Sequence, residues 1–144
     1  MRDDEIGTIY IEDLEVGMSR SLTKVIGDAE VCSFAEVSED RNPIHLDEAT
    51  GQASMFGGRI AHGMLVGSLF SALLGERIPG HGTIYMGQNL KFRAPVMLGA
   101  EVTATVTVRE INREKRRVTF DCLAEVGGKT VVQGEALVLA PSRG

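Results

Sequence analysis

The spacing of hydrophobic residues changes period near the middle of the chain. In the first half, residues 18–25 read as one extended piece, and Gly27-Asp28 supplies a turn and an N-cap. Val31, Phe34, Ala35 and Val37 then recur near helical spacing within AEVCSFAEVSED. That helix must stop before Pro43, because proline disfavours helical dihedrals at Asn42. Residues 41–63, interrupted by glycines and polar residues, predict a long loop, and loops of that length in compact domains usually carry function. Residues 64–74, MLVGSLFSALL, predict a helix that is apolar nearly all round and therefore buried on all sides. Gly63, Gly67 and Ser71 recur every four residues as one small-residue stripe, suited to close helix–sheet packing or to a narrow ligand slot.

The second half alternates. Residues 83–95, 101–111, 117–126 and 130–139 are β-branched or period-two runs, clearest in EVTATVTV. Residues 95–99, the charged NREKRR segment and Gly127-Gly128 sit between them as turns. Helices followed by an antiparallel meander define an α+β pattern. The simplest packing wraps a curved antiparallel sheet around the apolar helix, which is a hot-dog arrangement. No linker, low-complexity tract or repeat divides the chain, so residues 1–144 read as one domain with ends (1–7 and 141–144) expected to fray.

Composition narrows the class of protein. A hydrophobic fraction of 43% with 24% charged residues is that of an ordinary globular chain. The net charge of -5 argues against a general nucleic-acid footprint. The acidic start MRDDEIG does not read as a secretory signal, and residues 64–74 are too few to span a bilayer. Cys32 and Cys122 lack metal or redox spacing and read as buried, reduced thiols, in keeping with a cytoplasmic protein.

Proton-transfer groups concentrate in the segment from Ser38 to Asp47, SEDRNPIHLD. On a continuous helix Asp40 and His45 would lie about 140° apart. Pro43 breaks that geometry and lets the two converge, with Asn42 free to hold the turn or a bound water. A carboxylate and an imidazole sharing one water suit general acid–base chemistry. Read alone, Asp40 also fits a helix-end turn and His45 a satisfied polar residue. Further on, Gly63 precedes the apolar helix, so its N–H lies among the unpaired donors of the first turn, where the helix dipole adds positive character. Such a donor can hold an oxyanion developing on a carbonyl. A water-activating pair and an oxyanion donor are the minimum kit for hydration or dehydration beside a carbonyl.

DRNPIHLD, followed by FGGRIAHGMLVGSLFSALLGERIPGHGTIYMGQNLKFRAPVMLGAEV, closely resembles the MaoC-like (R)-specific enoyl-CoA hydratases, including the short type that feeds polyhydroxyalkanoate synthesis. The resemblance runs from about residue 16 to 138. It implies that Asp40 and His45 bind and activate water, that Asn42 supports them and that the Gly63 amide polarises the thioester carbonyl. It places Ser71 beside the site and Leu74 at the acyl pocket. It further implies syn hydration of a trans-2-enoyl-CoA to the (R)-3-hydroxyacyl-CoA, a homodimer, and no metal or redox cofactor beyond the coenzyme A of the substrate.

Other residues carry less. His62 is placed to touch ligand but reads more simply as structural, and His81 as a turn residue. Tyr85, Gln88 and Asn89 lie on the first long strand with their inward face undetermined. Arg113, Lys115, Arg116 and Arg117 form a hairpin end or a contact for the coenzyme A phosphates. No HxH or HExxH spacing suggests a metal. An acyl-carrier-protein dehydratase, a thioester hydrolase and a non-catalytic acyl-CoA binding module remain as competing readings.

Overall fold

The computed structural model describes residues 5–144. After a short 3-10 turn at Ile11–Asp13 come β1 (Ser19–Ile26), α1 (Asp28–Ser38), α2 (Pro43–Leu46), α3 (Glu48–Ala53) and α4 (Gly63–Glu76). The strands β2 (Ile84–Phe92), β3 (Ala100–Asn112), β4 (Arg117–Val126) and β5 (Lys129–Leu139) follow. The strands form one antiparallel sheet in the order β1-β3-β4-β5-β2.

Alternation decides which face of this sheet meets the helix. In β3, Val102, Ala104, Val106 and Val108 are buried, while the intervening threonines turn outward. There Thr103 and Thr105 pair their hydroxyls with Thr23 and Ser21 of β1, at 2.9 and 2.7 Å. Val118, Phe120, Cys122 and Ala124 continue the inner face on β4. Burial of Cys122 pushes its thiol up to about 11. Against this face α4 buries Val66, Phe70, Leu73 and Leu74.

The small-residue stripe serves close packing. A Cβ on Gly63 would lie 2.5 Å from the Phe92 ring, and one on Gly67 would lie 2.8 Å from the Leu90 side chain. Four helical residues advance about 6 Å, and two strand residues about 6.6 Å. Gly63 and Gly67 therefore meet Phe92 and Leu90, which lie two residues apart on β2.

The α+β hot-dog expectation holds, and four finer expectations are corrected. First, α4 is buried on one side only: Met64, Ser68, Ser71, Ala72 and Gly75 are exposed, because the sheet curls around one flank of the helix. Second, residues 41–63 are not one long loop, since α2 and α3 occupy much of them. Third, Cys32 is exposed on α1 rather than buried, with Asp28 as its nearest polar partner at 3.5 Å. Fourth, the described ends are tied down. Gly7 N–H donates to the Glu76 carbonyl at 2.9 Å, and Arg143 N–H donates to Glu12 at 3.1 Å. Residues 1–4 of the expected N-terminal fray lie outside the described residues. No helix among the described residues is long and apolar enough to cross a membrane.

Candidate active site

The site is built where α1 stops. Glu39 adopts a left-handed conformation, φ 66°, and ends the helix four residues before Pro43. Proline is therefore not the terminator that the sequence suggested; it opens α2, where its missing N–H costs nothing. Between the two helices the turn is held by its own side chains. Asn42 N–H donates to Asp40 Oδ1 at 3.3 Å, and Asn42 Oδ1 accepts from Ile44 N–H at 3.2 Å. Asn42 thus caps α2, which leaves its side-chain oxygen committed to the turn. Asp47 is spent in the same way on α3. Its carboxylate accepts from Thr50 N–H and Oγ1 at 2.9 and 2.5 Å, which holds its carboxyl below the ordinary value.

One turn of α2 carries His45 inward to 9% exposure. Residues 59–62 then lie as a strap along residues 40–45. His45 Nδ1 donates to the Ile60 carbonyl at 2.7 Å, and Arg59 Nε donates to the His45 carbonyl at 2.6 Å. His62 Nε2 donates to the Asp40 carbonyl at 2.9 Å, and Ile60 N–H reaches the Ile44 carbonyl at 3.3 Å. The strap passes close to α3 only because Gly51 has no side chain: a Cβ there would sit 2.6 Å from Arg59 N.

Because a carbonyl only accepts, the bond to Ile60 fixes a His45 proton on Nδ1 and leaves Nε2 outside that bond. Nδ1 is a donor in both the neutral and the charged ring, so Nε2 can gain or lose a proton without breaking the bond that positions it. Asp40, His45 and His62 each offer an oxygen or nitrogen within 4.8 Å of the others. The two imidazoles are stacked, with centroids 3.9 Å apart and planes at 28°. A metal bound by two imidazoles must lie near both ring planes, and stacked rings share no such point within bonding reach. The cluster suits a shared proton or water better than an ion.

Asp40, His45, His62 and Gly63 line one cavity of about 430 Å³. Its other walls are largely apolar, including Phe56, Ile60, Val66, Phe92, Val96 and Val132, and exposed Arg93 is the cation in the lining. Gly63 opens α4, and its N–H has no acceptor among the described residues. The cavity is therefore a largely apolar slot that presents a carboxylate, an imidazole and a free backbone donor, and its volume lies in the range of small-molecule sites.

Not every expected residue arrives here. Ser71 lies exposed two turns along α4, and Leu74 is sealed in the core; neither lines the cavity. Tyr85, Gln88 and Asn89 stay outside it, with the Tyr85 hydroxyl donating to Gln88. Instead the end of β2 contributes Phe92 and Arg93. His81 is an exposed turn residue, 2.9 Å from Glu76. Arg113 is occupied by the carbonyls of Ile11 and Leu14, at 2.5 and 2.7 Å. The hairpin that carries it ends at Arg117, paired with Leu139, seven residues along β5 from Val132 of the cavity. At about 3.3 Å per residue that is roughly 23 Å away.

Sequence reasoning passed over Arg59, although an arginine directly after two glycines and between two chemistry-bearing motifs was a usable signal. Phe92, Arg93 and Val132 carried none, because they reach the cavity only through the β2–β5 pairing.

Residues 12–127 match the family described as MaoC like domain. The chain is 48% identical to an (R)-specific enoyl-CoA hydratase of Rhodospirillum rubrum over 144 residues, all of both chains. It is 47% identical to a 3-hydroxybutyryl-CoA dehydratase of Methylorubrum extorquens, over 96% of this chain and 88% of that one. Among solved structures, an (R)-hydratase from A. caviae involved in PHA biosynthesis superposes with a TM-score of 0.88 at 47% identity, covering 90% of this chain and 99% of that one.

The strap makes a stability prediction. Arg59→Leu leaves the His45 carbonyl without its charged donor and is expected to cost about 2 kcal/mol. A denaturant titration checks this, and a midpoint equal to wild type would show that Arg59 does not hold the strap.

Proposed function

The chain belongs to the MaoC-like domain family, and from that premise we propose that it is an (R)-specific enoyl-CoA hydratase. This hydro-lyase adds water reversibly and syn across a trans-2-enoyl-CoA to give the (R)-3-hydroxyacyl-CoA. The observation that carries the reading is the convergence of Asp40 and His45 on the apolar cavity that also presents the Gly63 N–H.

The enoyl thioester lies in the slot with its carbonyl oxygen toward Gly63 N–H. One water sits between the Asp40 carboxylate and His45 Nε2. Asp40 acts as base toward that water, and His45 serves as the acid and orienting partner. As the water oxygen bonds to C3, the C2–C3 π pair moves toward the thioester, and the enolate oxygen that forms is held by Gly63 N–H. The proton taken from the water is handed on by Asp40 and His45 to C2 on the same face as the carbonyl re-forms, which returns both groups to their starting protonation. Asp40 and His45 form one coupled pair, so the two proton transfers belong to the pair as a unit. The reaction is redox-neutral and its protons come from water, so no metal or redox cofactor is called for. Coenzyme A enters only as part of the substrate.

A place in polyhydroxyalkanoate biosynthesis, in which the A. caviae neighbour is involved, fits the same reading. A cytoplasmic setting accords with the exposed, unpaired Cys32 thiol. We also propose a homodimer. Strand β2 lies at one sheet edge and exposes Ile84, Met86 and Phe92, and the open flank of α4 exposes Met64 at 60%. A long apolar edge of this kind is a template for pairing. The opposite edge, β1, carries Arg20 and Lys24 instead.

Two measurements test these readings. Loss of enoyl absorbance across a series of trans-2-enoyl-CoA chain lengths, with chiral analysis, is expected to give the (R)-3-hydroxy product. An (S) product, or release of free thiol from acyl-CoA, would contradict the assignment. Sedimentation equilibrium at micromolar concentration is expected to give twice the mass of the chain, and a single-chain mass would rule out the dimer.

A further inference from the structure

His62 is 2% exposed and contacts two rings. It stacks on His45 and also meets Phe34 of α1, at a centroid distance of 4.8 Å with planes at 56°. Its Nε2 donates to the Asp40 carbonyl at 2.9 Å, so Nε2 carries the proton. Its Nδ1 is buried with no hydrogen-bond partner. An unpaired buried acceptor is destabilising, and phenylalanine would fill the same space without that penalty. The histidine is explained by its one satisfied nitrogen, whose partner is the main chain of Asp40.

Resting on the hydratase reading, we propose that His62 is a positioning residue that keeps the proton-transfer groups in register. It holds Asp40 through its carbonyl, seats the His45 ring by stacking and leads directly into the Gly63 donor. The last link is covalent. His62 is the N-cap of α4, and its carbonyl accepts from Leu65 and Val66 N–H at 3.1 and 3.3 Å. One residue therefore touches the base, its imidazole partner and the start of the oxyanion donor, while its Nε2 is committed to the Asp40 carbonyl. A small displacement of such a residue is costly, because a shift of about 1 Å in a reacting group can reduce the rate on the order of 100-fold.

Two substitutions separate the hydrogen bond from the ring. His62→Phe keeps an aromatic face against His45 and loses the donor to Asp40. His62→Gln places an amide N–H near the Nε2 position and loses the ring. His62→Phe is expected to lower kcat about 100-fold with KM within about threefold, and His62→Gln to stay within about tenfold of wild type. The decisive arm is the double variant. If His62 works through Asp40, adding His62→Phe to Asp40→Asn should change kcat by less than about threefold, since residues acting as a unit are non-additive. Equal losses in the Phe and Gln variants, or a full additional loss on the Asp40→Asn background, would overturn the proposal.

A readout free of turnover keeps this apart from the hydratase reading. Long-range ¹H–¹⁵N spectra of the wild-type protein should show opposite tautomers, protonated at Nε2 in His62 and at Nδ1 in His45. A His62 proton on Nδ1 would overturn the proposal whether or not the protein hydrates enoyl-CoA. Wild-type inertness with the expected tautomers would sink the hydratase reading alone.

Discussion

The site depends on one lattice of side-chain to main-chain hydrogen bonds. Residues 59–62 and 40–45 run past one another, and three bonds from Arg59, His45 and His62 to carbonyls of the facing segment lock them together. The Arg59 bond has a charged donor and all three are partly buried, where a hydrogen bond contributes more than at the surface and an unmade one is more destabilising. Asp40, His45 and His62 each make one of these bonds or receive one. Asp40 keeps its carboxylate toward the cavity because its carbonyl is held from behind. His45 keeps Nε2 free because Nδ1 is committed. The chemistry is therefore a consequence of backbone carbonyls that would otherwise be unpaired.

This lattice is mounted on a scaffold whose dimensions follow from small residues. Gly51 allows α3 to approach the strap, and Gly63 and Gly67 allow β2 to close on α4. That close packing brings Phe92 and Arg93 to the cavity and gives the slot its apolar wall. The same curl of the sheet covers only one flank of α4 and leaves β2 at an edge, so exposed apolar surface remains beside the site. The dimer proposal and the shape of the slot thus have one cause, a short sheet wrapped around a helix that it does not enclose.

Much of the scaffold was legible in the sequence, because the β-branched and period-two runs place every strand end within about one residue except that of β2, which stops three residues short of Pro95. EVTATVTV is the clearest case, with its valines and Ala104 inward and its threonines pairing with β1. The convergence of Asp40 and His45 was also legible, but its cause was misassigned to Pro43. A left-handed residue such as Glu39 leaves no mark in a hydrophobic pattern, and proline at the first position of a helix looks the same as proline after the last. The four-residue helix α2 is too short for periodicity to reveal. Arg59 and Phe92 depend on contacts between segments far apart in sequence, which no local pattern encodes. His62 was visible as a histidine in the right loop, yet the carbonyl it serves lies 22 residues away.

The central claim is that Asp40 activates the water that adds to an enoyl thioester, from a position set by the strap together with the Asn42 N–H that its carboxylate accepts. Hydration of trans-2-butenoyl-CoA by Asp40→Asn tests it most directly, since asparagine keeps the shape and loses the basicity. The account predicts an unchanged unfolding midpoint and a kcat lowered roughly 10²- to 10⁴-fold, the usual worth of a positioned general base. Turnover within tenfold of wild type in that folded variant would contradict it.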